Sequence, residues 1–269
     1  MNGIERITSA FQTARAGGRA ALILYYTLGY PTPAASLEAI RAAAEAGADI
    51  IELGVPFSDP LADGPTIQHS TQVALEQGVS VRRCLEMTRE LRAGGVAQPL
   101  LLMGYINPIL AFGLEHFVTA AQAAGADGLI VPDLPPEEGQ ELEHICRRHG
   151  LALVYLLSPA SPPERVELVA ARTSGFLYLV SLTGVTGARS DLPSGLPEFV
   201  ARARAAARTP VAVGFGISTP AQAAAVGALA DGVIVGSALL NAVRAAGPAQ
   251  APAAARAFVT SLAQALSTS

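Results

Sequence analysis

Eight times along the chain a short apolar run gives way to a longer amphipathic, alanine-rich segment, and no long linker interrupts the alternation. The apolar runs are Ala21–Thr27, Ile50–Gly54, Leu100–Gly104, Gly128–Val131, Leu151–Leu157, Phe176–Ser181, Val211–Gly214 and Gly232–Gly236. These short apolar runs predict strands. Helical periodicity follows each one: around Ala34–Ala46, Thr66–Gln77 with Val81–Arg92, Leu114–Ala124, Pro136–Arg148, Pro163–Arg172, Leu196–Ala206, Pro220–Val226 and Ala238–Ala245. A last helix is predicted near Ala251–Leu266, and Ile4, Ile7, Phe11 and Ala14 predict an extra amphipathic helix ahead of the first strand. Such a chain makes either a closed barrel or a large doubly wound sheet.

An internal echo favours the ring. Ala46-Gly47-Ala48-Asp49-Ile50-Ile51 recurs as Ala124-Gly125-Ala126-Asp127-Gly128-Leu129-Ile130, and more loosely as Ala228-Leu229-Ala230-Asp231-Gly232-Val233-Ile234. Small residues let a helix end and turn tightly into the next strand. Copies ahead of strands 2, 4 and 8 suggest one unit repeated around a circle. The 269 residues suit a single (β/α)8 TIM barrel, which takes about 250 residues, so residues 1–269 are expected to form one domain.

Composition narrows the function classes. With 51% hydrophobic and 15% charged residues the chain is not of the disordered type, and a net charge of −4 without a basic tract argues against nucleic acid as a partner. All 18 basic residues are Arg. Without Lys there is no Schiff base, no anchor for pyridoxal phosphate and no Walker phosphate loop. Cys84 and Cys146 lie far apart in helical patterns and read as small buried hydrophobes. His69, His116, His144 and His149 show no ligand spacing, and the last two are expected to be solvated on one polar helix. Neither metal nor cofactor is expected. There is no signal-peptide core and no apolar run of the ~18 residues a membrane span needs, so a cytoplasmic location is expected.

Barrel active sites lie at the carboxyl ends of the strands, and phosphates commonly sit by the last loops. Three glycine bends fall there: Ser181-Leu182-Thr183-Gly184-Val185-Thr186-Gly187, Gly214-Phe215-Gly216-Ile217-Ser218 and Gly236-Ser237. Glycine lets backbone N–H groups approach an anion, and the following helix dipoles favour negative charge. Thus an acidic chain without Lys can hold a phosphate through Gly187, Gly216, Ile217, Gly236 and Ser237.

Glu52 is the most informative side chain. A period of two puts it on the same strand face as Ile50, pointing into the barrel mouth among apolar neighbours. Burial raises a carboxyl pKa and suits a group that gives and takes a proton near neutrality. The opposing reading, a structural Glu–Arg pair, lacks an Arg in any predicted strand. The loop beyond it, Val55-Pro56-Phe57-Ser58-Asp59-Pro60-Leu61-Ala62-Asp63-Gly64-Pro65, carries Asp59 and Asp63, each of which also reads as an ordinary turn residue. Asp133, in Val131-Pro132-Asp133-Leu134-Pro135-Pro136, could line the mouth or organise a turn.

The run from Glu52 through Asp63 to Gln68 resembles the signature of the tryptophan synthase alpha subunit family. Met103-Gly104-Tyr105-Ile106-Asn107-Pro108, Val131-Pro132-Asp133-Leu134-Pro135, Gly184-Val185-Thr186-Gly187 and Gly214-Phe215-Gly216-Ile217-Ser218 extend the likeness over essentially the whole chain. The resemblance implies retro-aldol cleavage of indole-3-glycerol phosphate to indole and glyceraldehyde 3-phosphate, with Glu52 and Asp63 as the catalytic pair. It implies substrate contacts from Tyr25, Tyr105, Tyr178 and Thr186, with the loop carrying Thr186 closing over the site near Asp63. It further implies a pyridoxal-phosphate-dependent beta subunit in an αββα complex, met through Pro56, Asp59, Pro60, Asn107 and Pro108, to which indole passes. Tyr25 and Tyr30 depart from the family pattern as known in one relative, which has Phe and an acidic residue there. Competing expectations are a free-standing lyase, another phosphate-binding barrel such as an isomerase, and a catalytically silent regulatory barrel; retention of both carboxylates speaks against the last.

Overall fold

The computed structural model describes residues 1–180, 195–214 and 216–267. In chain order the elements are α1 (Gly3–Ala16), β1 (Ala21–Thr27), α2 (Pro33–Glu45), β2 (Ile50–Gly54), α3 (Pro65–Glu76), α4 (Val81–Ala93), β3 (Leu100–Met103), α5 (Ile106–Phe112), α6 (Leu114–Ala124) and β4 (Gly128–Ile130). The second half continues with α7 (Gln140–Arg148), β5 (Ala152–Val154), β6 (Leu156–Leu157), α8 (Pro163–Arg172), β7 (Leu177–Val180), α9 (Leu196–Ala206), β8 (Val211–Gly214), α10 (Pro220–Gly227), β9 (Gly232–Val235), α11 (Ser237–Ala246) and α12 (Ala251–Ser267). Helices start where the local chemistry asks: Thr32, Ser80 and Thr219 each accept from the third helical amide, and Pro33 and Pro220 open α2 and α10.

The strands pair in parallel in the order β5-β4-β3-β2-β1-β9-β8-β7-β6. Only Tyr155 separates β5 from β6, so the two ends of this sheet are one stretch of chain and the ring closes as a (β/α)8 barrel. The expected fifth strand, Leu151–Leu157, is therefore two short ones. Tyr155 stays in the ring, its N–H donating to Thr173 Oγ1 (3.1 Å) and its carbonyl accepting from Tyr178 N (3.1 Å). Its phenol points outward and donates to Glu143 Oε1 (2.7 Å), which also accepts from Arg172 Nε (2.8 Å). The helix expected over Pro136–Arg148 likewise divides, into a 3-10 turn at Pro136–Glu138 and α7.

The repeated Asp has a structural meaning. Asp49 N donates to Leu22 O (2.8 Å) while its carboxylate accepts from Leu22 N (2.7 Å). Asp127 does the same with Leu100 (2.7 and 2.8 Å), and Asp231 with Val211 (2.9 and 2.8 Å). Each carboxylate thus caps the start of a neighbouring strand at the amino rim of the barrel. Arginines complete the clamps: Arg19 on Asp49, Arg6 and Arg92 on Asp127, Arg204 on Asp231. Ser174 repeats the motif with a hydroxyl, accepting from Leu153 N (2.8 Å).

Helix α1 closes this same rim, its amide at Gly3 donating to Gly150 O (2.8 Å). Phe11 of α1 stacks near Phe176 (5.7 Å between centroids), and Phe176 near Tyr178 (6.2 Å), a column rising from α1 towards the carboxyl mouth. Strands β1 to β4 are buried along their whole length, so both faces are covered. Both Cys84 and Cys146 are buried in helices. His144 is exposed, but His149 is half-buried at the end of α7 with Nε2 3.0 Å from Glu115, not simply solvated.

Candidate active site

Glu52 sits mid-strand in β2, in register with Tyr25 of β1 and Leu101 of β3. Two residues further along the same face, an added Cβ on Gly54 would stand 2.2 Å from the Tyr25 phenol oxygen. Both side chains therefore turn into the barrel, and glycine is what admits the Tyr25 ring over the end of β2. Glu52 is 0% exposed, and neither carboxylate oxygen has a hydrogen-bond partner among the described residues. Burial alone pushes its carboxyl up to about 8. A buried, unsatisfied carboxyl is costly and calls for a reason.

Asp63 lies in the loop joining β2 to α3, half-buried. Its amide donates to Pro60 O (3.1 Å) and its carbonyl accepts from Gln68 Nε2 (2.8 Å). Tyr105, just beyond β3, donates its phenol proton to Asp63 Oδ2 (3.1 Å) and accepts from Ala62 N (3.0 Å). Burial raises the Asp63 carboxyl to about 6, against the opposing pull of the Tyr105 hydrogen bond. The charges of Glu52 and Asp63 both raise the Tyr25 and Tyr178 phenols, on top of a larger effect of burial. Two carboxyls and two phenols from β1, β2, β7 and the loop after β2 thus share one mouth. Tyr178 reaches it from β7, and an added Cβ on Gly214 of neighbouring β8 would stand 2.7 Å from its hydroxyl.

A water-sized space of about 10 Å³ lies beside Asp63, walled by Tyr25, Phe57, Met103, Tyr105 and Pro132 among others. Outside it opens a cleft of about 350 Å³ lined by Phe57, Asp59, Leu61, Ala62, Tyr105, Asn107 and Asp133. The rings of Phe57 and Tyr105, 5.4 Å apart, form the wall between the two.

Strands β8 and β9 are neighbours, so the bends after them meet at the same rim. Gly216 has φ +80°, with nothing within 4 Å of an added Cβ among the described residues, next to buried Ile217. Gly236 stands ahead of α11, its Cβ position 3.1 Å from Tyr25 Cβ, and exposed Ser237 is the first residue of that helix. Thr219 and Gln222 cap α10, whereas among the described residues no side chain caps the first turn of α11. Thr186 and Gly187 lie outside the described residues.

Of the expected partner contacts, Asp59 and Asn107 are exposed, Pro60 and Pro108 half-buried and Pro56 buried. Asn107 and Pro108 belong to α5, a helix that sequence periodicity did not reveal. Asp133 organises a turn: its Oδ1 accepts from Ile106 N (2.9 Å), the first amide of α5. Sequence reasoning also missed the hydroxyl chain behind Tyr25, which runs from its phenol to Thr27 Oγ1 (3.3 Å), Ser70 Oγ (2.7 Å) and Ile67 O (2.8 Å). A threonine two residues after Tyr25, hence on the same face, was the available signal. Among the described residues no group of three or more His, Cys, Asp or Glu could hold a metal ion, and no helix is long and apolar enough to cross a membrane.

A (β/α)8 barrel with two carboxyls of raised pKa in its carboxyl mouth has the architecture of an enzyme of the TIM-barrel class. Residues 11–267 match the family described as "Tryptophan synthase alpha chain", and the chain belongs to that family. Curated relatives named tryptophan synthase alpha chain include that of Chloroflexus aurantiacus, 48% identical over 96% of this chain and 97% of its own length. That of Roseiflexus sp. is 49% identical over 96% of this chain and 99% of its own. Among solved structures, tryptophan synthase from Mycobacterium tuberculosis superposes with a TM-score of 0.89 at 42% identity, covering 97% of this chain and 98% of that one. The alpha subunit from Legionella pneumophila gives 0.89 at 38% identity over the full length of both chains.

Proposed function

We propose that Glu52 and Asp63 carry the cleavage of indole-3-glycerol phosphate to indole and glyceraldehyde 3-phosphate, the alpha reaction of tryptophan synthase. Near neutrality burial keeps Glu52 protonated, with its carboxyl at about 8, while Asp63, at about 6, is largely ionised. Asp63 takes the proton from indole N1 as Glu52 delivers its own to C3, giving the indolenine tautomer. The Glu52 carboxylate then accepts the 3′-hydroxyl proton, and the bond between C3 and the glycerol carbon breaks. That electron pair flows back through the ring to N1, which recovers its proton from Asp63. The ring itself is the electron sink, so the step needs neither an amine nor a metal, and each positioned acid or base contributes roughly 10²–10⁴-fold.

The observation that carries this reading is the fully buried Glu52 carboxyl, without a hydrogen-bond partner among the described residues, facing the same phenols as Asp63. The space beside Asp63 is water-sized, so the indole ring enters by displacing the flexible Met103 and the half-exposed Phe57, while Tyr105 stays pinned by its two hydrogen bonds. We place the phosphate at the uncapped first turn of α11, with Gly236 and Ser237, joined by Gly216, Ile217 and Gly187. Tyr25, Tyr178 and Thr186 complete the substrate contacts.

The chain works as one domain in the cytosol, joined to a beta subunit in an αββα heterotetramer. Pro56, Asp59, Pro60, Asn107 and Pro108 line that contact. The 94% exposed Leu61 beside them favours a partnered form over a free-standing lyase. Glu52→Gln tests the mechanism in a coupled assay for glyceraldehyde 3-phosphate, with substrate binding followed by calorimetry. Turnover should fall by at least about 10²-fold while binding persists; unchanged turnover would remove Glu52 from the chemistry.

A further inference from the structure

We infer that Tyr105 is a positioning residue for the cleavage: its hydroxyl fixes the Asp63 carboxylate and ties it to the main chain at Ala62. The inference rests on the proposed role of Asp63 as the base at indole N1, and gives Tyr105 a task beyond lining the substrate space. The direction of its hydrogen bonds is forced. Ala62 N–H can only donate, so the phenol oxygen accepts there (3.0 Å), and the one phenol proton goes to Asp63 Oδ2 at 3.1 Å.

The phenol is itself held. Tyr105 is 6% exposed, its ring lies 5.4 Å from that of Phe57, and the next amide, Ile106 N, is anchored to Asp133 Oδ1 at 2.9 Å. A rigid path thus runs from the end of β4 through Asp133, Ile106 and Tyr105 to a carboxylate on the loop after β2. Gln68 and Pro60 fix only the backbone of Asp63; among the described residues Tyr105 is the side chain that fixes its carboxylate.

The titratable groups gathered around Asp63 are Tyr25 from β1, Glu52 from β2, Tyr105 from beyond β3 and Tyr178 from β7, with Asp133 acting on Tyr105 from the β4 end. Among the described residues no arginine stands with these groups. Against the burial that favours the neutral acid, the Tyr105 hydrogen bond is what draws Asp63 towards its ionised form.

Tyr105→Phe keeps the ring and removes the donor. The acid limb of the kcat/KM profile should move upward by about one pH unit, the scale of a hydrogen bond to a charged group. Turnover at pH 7 should fall several-fold with KM little changed, about twofold of it from lost ionisation, and the deficit relative to the parent should narrow as pH rises from 6 to 8. A hydroxyl that only supported the fold would lower activity evenly across pH, and an unmoved acid limb overturns the proposal. Replacing Tyr105 with 3-fluorotyrosine covers the case in which the Phe variant fails to fold. It preserves packing and donates more strongly, so the limb should move downward, and an unmoved limb again overturns the proposal. Asp63→Asn run alongside separates the two readings. If that variant retains full turnover, Asp63 is not the base and the proposed function fails; if it is inactive while the Tyr105 variants leave the limb in place, only the positioning role fails.

Discussion

The substitution Glu52→Gln should stabilise the chain, and by an amount that grows with pH. The Glu52 carboxyl titrates near 8 in the folded state against an ordinary 4.5. A raised pKa means that the folded state holds its proton more tightly than the unfolded chain does. The associated stability is complete below 4.5 and drains away as pH climbs to about 8, at up to about 1.36 kcal/mol per pH unit. Between about pH 5.5 and pH 8 the parent should therefore lose on the order of 3 kcal/mol that the Glu52→Gln variant keeps. For a domain of this size 1 kcal/mol moves the melting temperature by about 2–4 °C, so the gap should widen by roughly 6–12 °C. Thermal melts of Glu52→Gln and parent across that range, on the isolated chain, read it directly. Because Asp63 titrates in both proteins, the difference isolates Glu52. A gap that stays constant with pH would refute the claim that a desolvated, unpartnered carboxyl sits at this position.

The remaining predictions concern the mouth and its opposite rim. The kcat/KM profile should be a bell with an acid limb near 6, where Asp63 gains its proton, and an alkaline limb near 8, where Glu52 loses the one it must deliver; a stopped assay across pH checks it. Gly54→Ala would set a methyl 2.2 Å from the Tyr25 phenol oxygen, forcing the ring into the site, and should lower kcat/KM by more than about tenfold in the coupled assay. Asp127→Asn would leave Arg6 and Arg92 without their partner and should cost about 3 kcal/mol in denaturant unfolding, with kcat unchanged because the clamp lies at the far end of the barrel. Leu61→Glu should weaken association with a beta subunit in sedimentation or titration calorimetry while sparing binding of inorganic phosphate.

The barrel was legible because its strands are covered on both faces and its helices on one, so the apolar pattern itself changes period eight times. Glu52 was legible for a related reason, since a carboxylate inside a run such as Ile50-Ile51-Glu52-Leu53 has nowhere to point but inward or among helices. Features set by distant residues were hidden. The break at Tyr155 depends on Glu143, on another element, receiving its phenol while Arg172 from a third element holds that carboxylate. Seven-residue α5 holds a proline and owes its start to Asp133, 27 residues away. The link between Tyr105 and Asp63 spans 42 residues and follows no local rule. Asp49, Asp127 and Asp231 were visible as a repeat, but only three dimensions show each carboxylate gripping the adjoining strand.

Those three grips give the molecule a division of labour between its two ends. At the amino rim every repeated acid is saturated with donors, and that end acts as a chassis holding the staves in register. At the opposite rim Glu52 and Asp63 are left hungry for protons, and little of the chassis depends on them. Loops around the mouth are thus free to be reshaped for other substrates, while a single acid lost from the base would loosen a seam between staves.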